Sequence, residues 1–171
     1  IYKKIRTHYS FLTKNVVRAL KIDKEDFIWI GSVGLIKYKN NNWDIVGYPD
    51  FITETFDCHK ENIWVGTDGE GMYLCNGTNW ERIWETFLLP SDRIYSIFYD
   101  HNGRVWIGGL LGFSSMFNNN FDNESKTIGF PTGSVMSIIE SRSNKIWFGT
   151  DSGLVSYDYL NWEKYKPLDY D

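Results

Sequence analysis

The residues with the widest chemical repertoire in this chain are three histidines, two cysteines and a scatter of carboxylates. Catalysis would need nucleophiles, bases or metal ligands to converge. His59 and His101 each stand five residues before a tryptophan, Trp64 and Trp106, in corresponding turns of neighbouring repeats. With Cys58 beside His59, ligation of one metal by this pair is conceivable. Equivalent turns of adjacent units are ordinarily too far apart to share an ion, so both imidazoles read as solvated turn residues. No metal, cofactor or catalytic residue is expected. Cys58 and Cys75 fall on the first and third strands of one repeat, about 9–10 Å apart by strand spacing. That exceeds the roughly 7 Å Cα separation a disulfide tolerates, so free, part-buried thiols are expected.

Asp68, Glu70 and Asp151 sit in glycine-bearing turns, where backbone geometry alone favours Asp and Gly. As a catalytic set they have little support, but their location suits binding. In an antiparallel meander these turns share one rim with the loops that enter each innermost strand. Here those loops include Lys14-Asn15, Pro49-Asp50, Pro90-Ser91-Asp92-Arg93 and Pro131-Thr132-Gly133-Ser134. Rigidly mounted loops are where binding sites concentrate. Asp68, Glu70, Arg93 and Asp151 are therefore the candidate ligand-binding residues. Trp84 joins them as the one tryptophan the repeat does not demand, read either as a packed edge residue or as an aromatic for stacking on a sugar.

The elements that would position these residues come from a repeat. Ile28-Trp29-Ile30-Gly31-Ser32, Ile63-Trp64-Val65-Gly66-Thr67, Val105-Trp106-Ile107-Gly108-Gly109 and Ile146-Trp147-Phe148-Gly149-Thr150 share one pattern, with tryptophans 35, 42 and 41 residues apart. A second aromatic follows each (Trp43, Trp80, Phe121, Trp162), with Gly34, Gly71, Gly112 or Gly153 between. Twelve residues before each first tryptophan stands Val17, Ile52, Ile94 or Val135. A small residue follows two positions on at Ala19, Ser96 and Ser137, a rule Glu54 breaks. Short β-branched and aromatic runs separated by close turns suit antiparallel four-stranded meanders. Such a sheet cannot bury both faces alone, so copies must stack. Radial stacking about an axis gives an all-β propeller of four blades with four antiparallel strands each. The first tryptophans would fill the gaps between blades, and the glycines after them would admit a neighbouring strand.

A single domain covers 1–171, with repeats at approximately 15–48, 50–88, 92–130 and 133–168 and an extra strand plus entering loop in 1–14. Tyr2-Lys3-Lys4-Ile5 resembles the fourth strands, one more than four blades need. A self-closed ring with this strand packed where the termini meet is expected; the alternatives are self-association, through the strand or as an eight-bladed ring of two chains, and continuation of a longer array. The net charge of −4 with scattered basic residues argues against a nucleic-acid partner. No stretch approaches the roughly 18 apolar residues of a membrane span, and no signal peptide is visible. The start at Ile1 leaves room for a removed leader or an earlier domain.

Repeat four, with Ser134-Val135-Met136-Ser137-Ile138, Ile146-Trp147-Phe148-Gly149-Thr150 and Gly153-Leu154-Val155-Ser156-Tyr157-Asp158, resembles the two-component regulator propeller repeat. Repeat three supplies the Asp100 and Gly103 that complete the pattern. The resemblance implies an extracytoplasmic (periplasmic or extracellular) sensor propeller that binds a small molecule or oligosaccharide. An interaction scaffold gripping another protein is the alternative, and a propeller lyase is a third reading. The repeat motif is structural, so the resemblance assigns no ligand residue.

Overall fold

A computed structural model describes residues 16–59, 62–76, 79–83, 88–118, 120–122 and 133–165. Among them every element is a strand: β1 Ala19–Ile22, β2 Ile28–Lys39, β3 Asn42–His59, β4 Asn62–Thr67, β5 Met72–Asn76, β6 Asn79–Ile83, β7 Ile94–Tyr99, β8 Val105–Gly109, β9 Gly112–Phe117, β10 Asn120–Asp122, β11 Val135–Glu140, β12 Ile146–Thr150, β13 Gly153–Tyr157 and β14 Trp162–Tyr165. Strands β7–β10 form one antiparallel blade and β11–β14 another. The first six strands are continuous in hydrogen bonding because two of them serve twice. Residues 42–47 of β3 pair with β2, whereas residues 53–59 pair with β4. Within β2 the chain doubles back at Gly34, whose φ is +78°. The Lys37 ammonium lies 4.8 Å from the Trp29 ring, although eight extended residues would separate them by about 26 Å. The result is four blades of four antiparallel strands.

The ladder corrects one alignment. Thr53 pairs with Thr67 and Thr55 with Gly66, as Ile94 pairs with Gly109 and Ser96 with Gly108. The first-strand positions of repeat two are therefore Thr53 and Thr55, not Ile52 and Glu54, and the small-residue rule holds in all four repeats. The cause is a turn one residue shorter. Between Cys58 and Ile63 lie four residues (59–62), and between Tyr99 and Val105 lie five (100–104).

Three apolar clusters fill three junctions. Trp29 and Leu35 meet Phe56, Ile63 and Val65; Trp64 and Met72 meet Ile94, Ile97 and Ile107; Trp106 and Phe113 meet Val135, Ile138 and Phe148. Large rings dominate because each buries roughly 150–250 Å². Glycines let the blades approach. A Cβ on Gly66 would stand 2.5 Å from Ile94 Cγ2, and one on Gly108 would stand 2.7 Å from Val135 Cγ1. No helix long and apolar enough to cross a membrane occurs among the described residues.

Among the described residues the innermost strand of blade 1 is the least covered of the four. Leu20 is 67% exposed, whereas its ladder equivalents Phe56, Ile97 and Ile138 are buried at 6–7%. Trp29, Trp64 and Trp106 are buried as expected, but Trp147 is only half-buried. No described residue from a following blade sits in the Gly149 hollow, where the nearest atoms belong to Ser137 of its own blade. The Tyr2–Ile5 segment lies outside the described residues.

Candidate functional site

The rim that carries Asp68, Glu70, Arg93 and Asp151 is stitched by main-chain hydrogen bonds. The loop entering blade 3 reaches back to blade 2, where Gly69 N and Gly71 N donate to Asp92 O at 3.1 and 2.8 Å. It also meets its own blade, where Leu110 N donates to Ser91 Oγ at 3.0 Å. In the loop entering blade 4, Ser134 Oγ donates to Leu110 O at 3.2 Å, and Asp151 N donates to Ser134 O at 3.2 Å. Turns and entering loops thus share one edge, as the meander requires.

On this frame the four candidates separate into three places. Arg93 Nε and Asp68 Oδ1 form an ion pair at 3.1 Å across an isolated bridge between the two residues. Glu70 turns instead to Arg82 Nη2 at 3.2 Å. Asp151 accepts from Ser134 N at 3.0 Å and from Ser152 Oγ at 2.9 Å. The Ser134 amide, helped by Ser152, holds its carboxyl below the ordinary 3.8. Arg93 and Glu70 remain more than half exposed. Trp84 lies outside the described residues.

The opposite rim carries His59 and His101, and they are not simply solvated. An open depression of about 490 Å³ is lined by His59, Tyr99, Asp100, His101, Asn102 and Glu140, with Gly103 at its edge. The His59 ring stacks on Tyr99 with centroids 3.7 Å apart. His101 Nδ1 pairs with Glu140 Oε1 from the next blade, and His101 N donates to Glu140 Oε2 at 3.1 Å. Among the described residues no three His, Cys, Asp or Glu side chains converge as a metal site. Cys58 and Cys75 are free thiols. Both pair with Ile63 from opposite sides, two strand spacings apart. Burial pushes the Cys58 thiol up to about 12, which leaves it a poor nucleophile.

The turn aspartates explain the Asp of the repeat. Asp100 accepts from Asn102 N and Arg104 N, both at 2.9 Å, and from the Trp106 indole at 2.8 Å. Asp23 does the same for Phe27 N and Trp29 Nε1 in blade 1. One residue escaped the sequence reading. Asp57 is 4% exposed on the innermost strand of blade 2, pairs with Lys21 of blade 1 and accepts from Tyr99 N of blade 3 at 3.0 Å. Its equivalents are Lys21, Phe98 and Ile139. Opposite charges in repeats one and two, at a position that is apolar in repeats three and four, were the available signal.

Residues 88–110 and 129–152 match the family described as two component regulator propeller. The chain is similar to histidine kinase P4 of Formosa agariphila, 29% identical over 143 residues, which are 72% of this chain and 10% of that protein. It spans about a tenth of that relative's length. The extracellular domain of a one component system, BT4673 from B. thetaiotaomicron, superposes with a TM-score of 0.76 at 22% identity, covering 92% of this chain and 22% of that one. The extracellular domain of the hybrid two component system BT3049 from the same organism gives 0.71 at 21%, covering 86% and 22%. At these identities the structural likeness shows the fold.

Proposed function

We propose, from the match of residues 88–110 and 129–152 to the two component regulator propeller family, that this chain is a ligand-binding sensor module acting in the periplasm or outside the cell. Binding, not catalysis, is its task. The observation that carries the reading is the stitched rim, where exposed Arg93 and Glu70 project from loops already fixed by main-chain bonds. Loops ordered beforehand lose little entropy when a ligand arrives. A guanidinium beside carboxylates offers paired donors and acceptors, which suits a polyhydroxylated small molecule such as an oligosaccharide. Trp84 would supply a stacking face. The His59–Glu140 depression supports a second reading, in which the ligand enters from the opposite rim.

Screening the purified chain against glycan and small-molecule arrays tests the proposal. For a ligand found there, Arg93→Ala or Asp151→Ala should weaken binding at least about tenfold, the loss of one charge-assisted hydrogen bond. His59→Ala and His101→Ala should leave it unchanged. The reverse pattern would move the site to the opposite rim. Arrays that stay blank, with capture of a protein that Arg93→Ala releases, would favour the scaffold reading.

A further inference from the structure

The depression on the histidine rim takes residues from three blades, and its described lining falls between residues 59 and 140, inside the series of blades. That lining includes two carboxylates, Asp100 and Glu140, and no lysine or arginine. Both carboxylates are fixed by donors. Asp100 accepts from the Trp106 indole at 2.8 Å and from the Tyr159 hydroxyl at 2.9 Å. Glu140, its side chain 13% exposed, takes His101 Nδ1 on one oxygen and His101 N on the other. Negative charge held where little water reaches it favours a cation nearby. The Tyr159 hydroxyl registers that charge: burial first, then its bond to Asp100 and the charges of Asp100 and Glu140, push it above the usual phenol range.

Two more groups select the kind of cation. The His59 and Tyr99 rings stack with centroids 3.7 Å apart and 9° between their planes, a π-surface on which cations and carbon skeletons pack. A carboxylate can only accept, so the contact with Glu140 puts the His101 ring proton on Nδ1 and leaves Nε2 as an acceptor. Tyr159 holds the same ring edge-on at 5.6 Å. We propose that this depression binds a small organic molecule through a protonated primary amine, which donates to His101 Nε2 and is balanced by Glu140 and Asp100, while the carbon skeleton packs on the His59–Tyr99 stack. The proposal rests on the reading in which a ligand enters from this rim. The volume of about 490 Å³ suits a single sugar or a short diamine.

Titration with glucosamine and with 1,5-diaminopentane at fixed pH, followed through the histidine ring resonances by NMR, tests this. Each amine should shift the His101 resonance to saturation, and the one that saturates at lower concentration identifies the skeleton. Glucose lacks the ammonium and tetramethylammonium lacks the N–H, so each should bind at least about tenfold more weakly. Glu140→Gln keeps the shape and removes the charge. It should weaken both amines at least about tenfold, with circular dichroism verifying the fold. Glucose that matches glucosamine overturns the proposal, because the ammonium then contributes nothing. Tetramethylammonium that matches the primary amines overturns it too, since no N–H is then donated to His101. So does the absence of a saturable shift at His101 with either amine. The Arg93 rim is judged separately, by the array ligands that Arg93→Ala weakens.

Discussion

Trp106 and Trp147 occupy the same place on the second strands of adjacent blades, and each faces away from the preceding blade. Trp106 is fully enclosed by Phe113 and by Val135, Ile138 and Phe148 of blade 4, and its indole donates to Asp100. Trp147 has Tyr165 at 5.3 Å and the Lys145 ammonium at 5.5 Å. No described blade covers it, and Ser141 stands where Asp100 would take its indole proton. A propeller tryptophan therefore contributes through the blade that follows it more than through its own sheet. The two tryptophans show what one junction is worth.

Truncation is the sharpest way to break that contrast. Trp106→Ala should cost about 3–5 kcal/mol, transfer plus cavity, in urea unfolding. Trp147→Ala, whose ring is already partly in water, should cost about 1 kcal/mol in the monomer. Equal losses would mean that the half-buried ring is as well packed as the enclosed one.

The glycines give a smaller effect. Gly108→Ala drives a Cβ into Val135 Cγ1 at 2.7 Å and Val135 O at 2.8 Å, with little room to yield. A loss of about 1–3 kcal/mol is expected from thermal unfolding. Gly149→Ala meets the rotatable Ser137 hydroxyl and no described atom of another blade, and should cost less than half as much.

Acid gives the smallest effect. Burial raises the Asp23 carboxyl, but the Trp29 indole and the amides of Phe27 and Glu25 outweigh it and hold it below the ordinary 3.8. The amides of Asn161 and Leu160 lower Asp158 in the same way. A carboxyl depressed by folding stabilises the folded chain above its unfolded value, and that contribution fades as pH falls through the folded one. The unfolding midpoint should therefore drop below about pH 4, and Asp23→Asn should flatten that dependence. Ser141→Asp, which gives Trp147 the missing acceptor, should add about 0.5–1 kcal/mol at pH 7. The gain should shrink as pH falls below about 4, and no gain at pH 7 would mean that the new carboxyl does not accept the indole proton.

The repeat, the four-stranded meander, the tryptophans at the junctions and the glycines that admit a neighbour were all legible in the residues. Each is written within a segment of about 40 residues and copied four times, so local period and spacing suffice. The shared rim was legible for the same reason, since a meander must put alternate turns at one edge. Other features depend on which atoms of distant segments meet. A turn one residue short moved the first-strand role from Ile52 to Thr53, which only the ladder reveals. Arg93 chose Asp68 while Glu70 chose Arg82, because pairing follows side-chain reach across strands. Asp57 gathers Lys21 and the Tyr99 amide, 36 residues before it and 42 after, into one buried contact. The exposure of Leu20 was equally invisible, because a repeat fixes how one blade receives the next without fixing where the series closes.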